Sequence, residues 1–167
     1  MKGNIMAKTY VRVDDRLIHG QTIVAWCPTL EVQEIIAVDD ASASNAMLKN
    51  VMTMGVPSTY KTHIVTTDEA KKLLSADSAK TRLVIVKTAD KLAELAEYLP
   101  KCEYVILGNL AKRKDTNHQV AGATGIFFLS DSDIAKIDKM VDDGAEIFFQ
   151  QLPSTSKTEW DKFKKTL

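Results

Sequence analysis

Tyr10-Val11-Arg12-Val13-Asp14-Asp15-Arg16-Leu17-Ile18-His19-Gly20-Gln21-Thr22-Ile23-Val24-Ala25-Trp26 changes texture twice. Tyr10–Val13 has the β-branched, apolar character of a strand, a polar turn follows, and Gln21–Trp26 reads as a helix. A strand passing through a short loop into a helix is the opening of a βαβ unit, and the alternation recurs down the chain. Glu34–Asp39 is a second buried strand, followed by a helix over Ser44–Met54. Met47, Leu48, Val51 and Met52 lie at helical spacing and are expected to fill the core. Gly55-Val56-Pro57-Ser58 ends that helix.

His63–Val65 is a third strand, and Thr66-Thr67-Asp68-Glu69 matches a capping box that opens a helix carrying Ala70, Leu73 and Leu74 on one side. Leu83–Val86 is a fourth strand, and Asp90–Leu99 a helix stopped by Pro100. Tyr104–Leu107 is a fifth, ending at Gly108-Asn109, after which Ala111–Gly125 is polar and basic. Ile126–Leu129 resumes strand character, and Ser130 or Asp131 caps a helix across Ile134, Ile137, Met140 and Val141 that Gly144 closes. Ile147–Phe149 is a last strand, and Trp160–Phe163 a short terminal helix. Strand–helix alternation requires right-handed crossovers, and strands written as continuous apolar runs are buried on both faces. The expected fold is a single α/β domain over residues 9–167, with a mostly parallel central sheet and helices on both faces. Residues 1–8 read as an N-terminal extension that need not be ordered.

Composition narrows the function. The 167 residues are 45% hydrophobic and 26% charged, with 22 basic against 22 acidic side chains. A neutral chain lacks the concentrated positive field of a general nucleic-acid or membrane-surface binder. Cys27 and Cys102 form no CxxC and no ligand spacing, so they read as small buried residues in a reducing cytoplasm. The N-terminus has no signal-peptide pattern, and no run approaches the roughly 20 apolar residues of a membrane span. Neither a glycine-rich nucleotide loop nor a metal cluster is present in the sequence, so no cofactor and no metal are expected.

In an open parallel sheet, ligands gather at the carboxyl ends of the strands. Two polar segments fall there: Asp14–Gln21 after the first strand and Gly108–Gln119 after the fifth. His19 sits just before a helix, whose free N–H groups and partial positive charge favour a nucleophilic ring nitrogen and would hold a phosphoryl dianion. Arg16 offers a planar cation suited to the equatorial oxygens of a phosphoryl group in flight. Asp14 or Asp15 can fix the imidazole tautomer or orient Arg16, or either can be a plain turn carboxylate. Gly20 removes a side chain where phosphate or a partner must approach, and Gln21 belongs to the same phosphate-facing turn. Lys112-Arg113-Lys114 reads as a solvated loop run or as an electrostatic docking site for an acidic or phosphorylated partner. His63 and His118 read as structural or surface residues, and Trp26 as packing rather than a sugar platform.

The segment Val11–Gln21 strongly resembles the signature of the IIB components of the mannose/fructose/sorbose family of bacterial phosphotransferase systems, in which the run Arg-x-Asp-Asp-Arg-Leu-Ile-His-Gly-Gln is highly specific. The resemblance extends to Trp26, Ile35–Asp40, the glycine after the fifth strand, Gly144–Ile147 and Pro153. It implies that His19 accepts a phosphoryl group on Nδ1 from a phosphohistidine of the IIA component, with Arg16 assisting. It implies delivery to a sugar entering through the membrane-embedded IIC and IID components, hence a cytoplasmic protein that meets a membrane complex at its periphery. The family often works in assemblies with dimeric partners, so a homo-oligomer stays open. Trp26-Cys27 and Gly108-Asn109 are more similar to amino-sugar branches, of N-acetylgalactosamine type, than to members with Gly-Gly after the fifth strand. Apart from the resemblance, the residues also suit a non-catalytic, anion-binding regulatory α/β module. A small hydrolase finds no nucleophile elbow or triad.

Overall fold

The computed structural model describes residues 7–99, 102–120 and 127–167. Its strands are β1 (Thr9–Asp14), β2 (Glu34–Val38), β3 (Lys61–Val65), β4 (Arg82–Val86), β5 (Cys102–Asn109), β6 (His118–Gln119), β7 (Phe128–Leu129), β8 (Ile147–Phe149) and β9 (Thr158–Glu159). Its helices are α1 (π-helical Thr22–Trp26 running into Cys27–Thr29), α2 (Asp40–Ala43), α3 (Ala46–Thr53), α4 (Thr67–Ser75), α5 (Ala89–Leu95), α6 (Asp131–Asp142) and α7 (Trp160–Lys164). Seven strands form one sheet in the order β3-β2-β4-β1-β5-β8-β9, parallel except for β9, which pairs antiparallel with β8. This is the expected α/β domain with helices on both faces.

The chain leaves β1 toward β2 and leaves β5 toward β8, in opposite directions across the sheet. The crevice between the carboxyl ends of β1 and β5 is therefore the topological switch point. Alternation along the strands divides the core. Val11, Val13, Val84, Val86, Val105 and Leu107 face α4 to α7, while Tyr10, Leu83, Ile85 and Ile106 face α1 with its Trp26 and Cys27. On β1 this parity puts Arg12 and Asp14 on the α1 face, both buried.

Several elements differ from expectation. The helix expected over Ser44–Met54 is α3, Ala46–Thr53, which starts where Asn45 adopts an extended backbone and caps it with its side-chain oxygen, and the one-turn α2 precedes it unforeseen. The Met-rich stripe of α3 is not core: Met47 is 73%, Leu48 42% and Val51 62% exposed, and Met52 is the one that packs inward. The periodicity identified an apolar face correctly, but the sheet beneath it is already covered by α1. At Thr66 the hydroxyl caps Glu69 N–H and donates to the Glu69 carboxylate, so the reciprocal backbone bond of a capping box is missing there. The full box is at Ser130, with Asp133 returning the bond. Gly144 closes α6 at φ 103°, a conformation suited to glycine. Beyond β5 a small antiparallel pair, β6 with β7, stands over the carboxyl edge. Of the expected 1–8 extension, Lys8 is docked, its carbonyl accepting from Arg82 N–H, while residues 1–6 lie outside the described residues, as do Pro100 and Ile126. Among the described residues no helix is long and apolar enough to cross a membrane.

Candidate active site

Asp14 ends β1, and its carboxylate organises the loop that follows. Oδ1 accepts the Arg16 backbone N–H at 3.0 Å, a side-chain-mimicked turn, while Leu17 N–H bonds the Asp14 carbonyl at 3.0 Å. Leu17 takes a left-handed backbone, φ 56°, which a non-glycine residue tolerates only when its surroundings hold it. Here burial of Leu17 and Ile18 supplies that hold and leaves Arg16 and His19 on the rim. Helical structure begins at Gly20, with Ile23 N–H on the His19 carbonyl at 3.2 Å. Pro28 has no N–H for the Val24 carbonyl, and the preceding turn widens into the π-helical segment that carries Trp26 inward.

Three side chains meet at the Asp14 carboxylate. His19 Nε2 lies 2.9 Å from Oδ2, and Arg16 Nε and Nη2 reach Oδ1 and Oδ2 at 3.1 Å each. From beneath, Arg12 Nη2 donates to Oδ2 at 3.3 Å. The carboxylate is fully buried, His19 is 18% exposed and Arg16 37%. Burial by itself would push the Asp14 carboxyl up, but bonds from His19 and Arg16 and the charge of Arg12 prevail and hold it at about 2. An ionised Asp14 accepts only, so the His19 proton facing it is on Nε2, and the Nδ1 lone pair points away with no partner among the described residues. That is the tautomer of a nucleophilic Nδ1.

The depressed Asp14 value fixes a pH dependence. Its folded-state value lies below the unfolded one near 4, so its stabilisation is present above that pH and lost as pH falls toward about 2. The amount is on the order of 2 kcal/mol. Thermal melts between pH 5 and pH 2 should show a steeper decline for the native chain than for Asp14→Asn.

Asp14, Arg16 and His19 thus lie together, and Asp14 rather than Asp15 is the aspartate bonded to the other two. Asp15 faces away and bonds the Asn109 side-chain amide, fastening the loop to β5. A Cβ on Gly20 would meet nothing within 4 Å, so the approach to His19 is open there. Gln21 Oε1 is buried without a partner and is not at the carboxylate. The basic run divides: Arg113 binds Asp133 and Asp115 and belongs to the local structure, while Lys112 and Lys114 are exposed. His63 lies 3.5 Å from Glu34 on an edge strand, and His118 pairs with Asp131 at 2.7 Å. Burial pushes the Cys27 thiol up to about 12, which makes it inert.

Residues without an assigned role in the sequence reading complete the site. Arg12 is fully buried, donates to the Gln150 and Gln151 carbonyls at 3.2 and 3.0 Å, and lies 5.1 Å over the Trp26 ring. Trp26 Nε1 donates to the same Gln151 carbonyl at 2.9 Å. A Cβ at Gly108 would collide with the Arg12 guanidinium. Trp26 and Gly108, read as parts of the family resemblance, have a local physical role in the cradle around Arg12. Two concavities of about 420 and 660 Å³ lie around Arg82, Tyr98 and Met140, away from His19.

Residues 8–166 match the family described as the PTS system sorbose subfamily IIB component. A probable phosphotransferase enzyme IIB component of Streptococcus pyogenes is 29% identical, covering 89% of this chain and 94% of its own length. The mannose-specific EIIAB component of Escherichia coli is 29% identical over 87% of this chain and 45% of its own. The IIBSor domain of the Klebsiella pneumoniae sorbose permease superposes with a TM-score of 0.83 at 19% identity, covering 97% and 99% of the two chains, a likeness of fold. The chain belongs to the sorbose subfamily of phosphotransferase-system IIB components and has their phosphoryl-transfer role in sugar uptake.

Proposed function

We propose that His19 is the phosphoryl carrier of this component, loaded by a IIA phosphohistidine and discharged onto a hexose or amino sugar entering through IIC and IID. The observation that carries this is the His19–Asp14 bond through Nε2, which turns the Nδ1 lone pair outward. In loading, Nδ1 attacks phosphorus, the phosphorus–nitrogen bond to the IIA histidine breaks, and that histidine recovers its electron pair. Arg16 stands over the transferring oxygens, and the N–H groups at the start of α1 face the product dianion. In discharge, a sugar hydroxyl attacks phosphorus as its proton passes to solvent, the phosphorus–Nδ1 bond breaks, and Nδ1 regains its pair. Asp14 stays ionised throughout and stabilises the ring. An exposed rim rather than an enclosed cavity suits two protein partners in turn, and a relative whose name joins IIA and IIB supports the first. Lys112 and Lys114 are proposed contacts for the phosphorylated partner. The absence of a spanning helix among the described residues fits a cytoplasmic protein at the face of the membrane complex.

Incubation with phosphoenolpyruvate, the general phosphotransferase proteins and a cognate IIA should yield an acid-labile, base-stable phosphate on this chain. No covalent phosphate with a competent IIA would favour reversible anion binding instead. Arg16→Ala should slow loading by roughly 10²-fold in a domain that stays folded, its melt lowered only by the lost bonds to Asp14. An unchanged rate would remove Arg16 from the transfer.

A further inference from the structure

Arg12 is an unusual residue to find inside a central strand. Its side chain has no exposure, and it lies one alternation below Asp14 on the α1 face of β1. A buried guanidinium is costly unless every face is matched. Here Asp14 takes Nε and Nη2, the Gln150 and Gln151 carbonyls take Nη1 and Nη2, and the Trp26 ring covers the plane. Gly108 on β5 leaves the space that the group fills. Three separate segments thus converge on one cation that touches neither His19 nor the path of an incoming group.

The consequence is at His19. The Oδ2 oxygen that accepts from His19 Nε2 also receives Arg12, so the oxygen is held from below and the ring from above. Arg16 binds the same carboxylate but is over one-third exposed and is the group expected to swing toward phosphate. Arg12 is then the fixed support. Resting on the reading of His19 as the phosphoryl acceptor, we propose that Arg12 is a positioning residue which, through Asp14, holds His19 with Nε2 inward and so selects Nδ1 as the reacting nitrogen. Gly108 is its steric complement, and Trp26 with the Gln150–Gln151 carbonyls sets its fork.

The test separates this from the relay itself by using potassium phosphoramidate, a small donor that needs no IIA. Nδ1 attacks its phosphorus, the phosphoramidate P–N bond breaks, and ammonia leaves. Phosphorus NMR of the native chain should show the Nδ1 isomer of phospho-His19. In Arg12→Met and Arg12→Lys the Nε2 isomer should appear beside it, the lysine failing because a point charge cannot make the fork. Gly108→Ala, which keeps the arginine but displaces it, should give the same mixture. Loading from IIA should fall on the order of 10²-fold in these variants. Folded variants that keep the native isomer and rate would overturn the proposal. Should the variants not fold, nitrogen-15 spectra of unmodified native His19 decide: an Nε2–H tautomer supports it and an Nδ1–H tautomer overturns it. Loss of IIA transfer with an intact phosphoramidate pattern would instead count against the proposed relay.

Discussion

His19→Ala should reduce phosphoryl acceptance from IIA to background while the domain stays folded. The two halves of that expectation have separate causes. His19 supplies the attacking electron pair, and no other described side chain at the rim offers a nucleophilic nitrogen, because Arg12 and Arg16 are guanidinium cations. The structural loss is small because Asp14 keeps its donors from Arg12 and Arg16. Removing one of several bonds to a buried charge costs about 1–2 kcal/mol. A transfer assay with radiolabelled phosphoenolpyruvate, run beside a thermal melt, measures both. Residual acceptance within a few-fold of the native rate would show that the phosphoryl group goes elsewhere.

Asp14→Ala should cost far more stability than His19→Ala, in addition to transfer. It leaves the fully buried Arg12 without its counter-charge. Breaking a buried pair from one side costs about 3–5 kcal/mol, or roughly 10–15 °C in melting temperature for a chain of this size. The origin of the loss is checked by the double variant Arg12→Met with Asp14→Leu, which removes both charges and should recover most of it. A double variant no more stable than Asp14→Ala would mean that the pair is not what holds this part of the sheet. Loading should also be lost in both, since His19 no longer has a partner to fix its tautomer.

What was legible in the sequence follows from which interactions are local. The parallel strands β1, β2, β4 and β8 and the second half of β5 are buried on both faces, so their apolar runs are visible without tertiary knowledge. The two-residue strands β6 and β9 are too short for any period to register. The Met47–Met52 stripe was legible as amphipathic but not as solvent-facing, because that depends on α1 already covering the sheet. His19, Arg16 and Asp14 were legible because one loop carries them. Which aspartate faces the histidine was within reach of strand parity, since Asp14 shares the Arg12 face and Asp15 turns to Asn109. Arg12 was not legible as a buried support, because its burial depends on Trp26, Gly108 and Gln150–Gln151, which are distant in sequence. A strand arginine two residues before an acid on the same face is the local sign that such a support leaves.

The measurement that bears most directly on the relay is the location of the phosphoryl group after transfer from a cognate IIA. Alkaline proteolysis with electron-transfer mass spectrometry identifies the residue, and phosphorus–nitrogen NMR identifies the ring atom. The predicted result is a single phosphoryl group on His19 Nδ1, with Nε2 still protonated toward Asp14. Phosphate on another residue, or on His19 Nε2, would contradict the account.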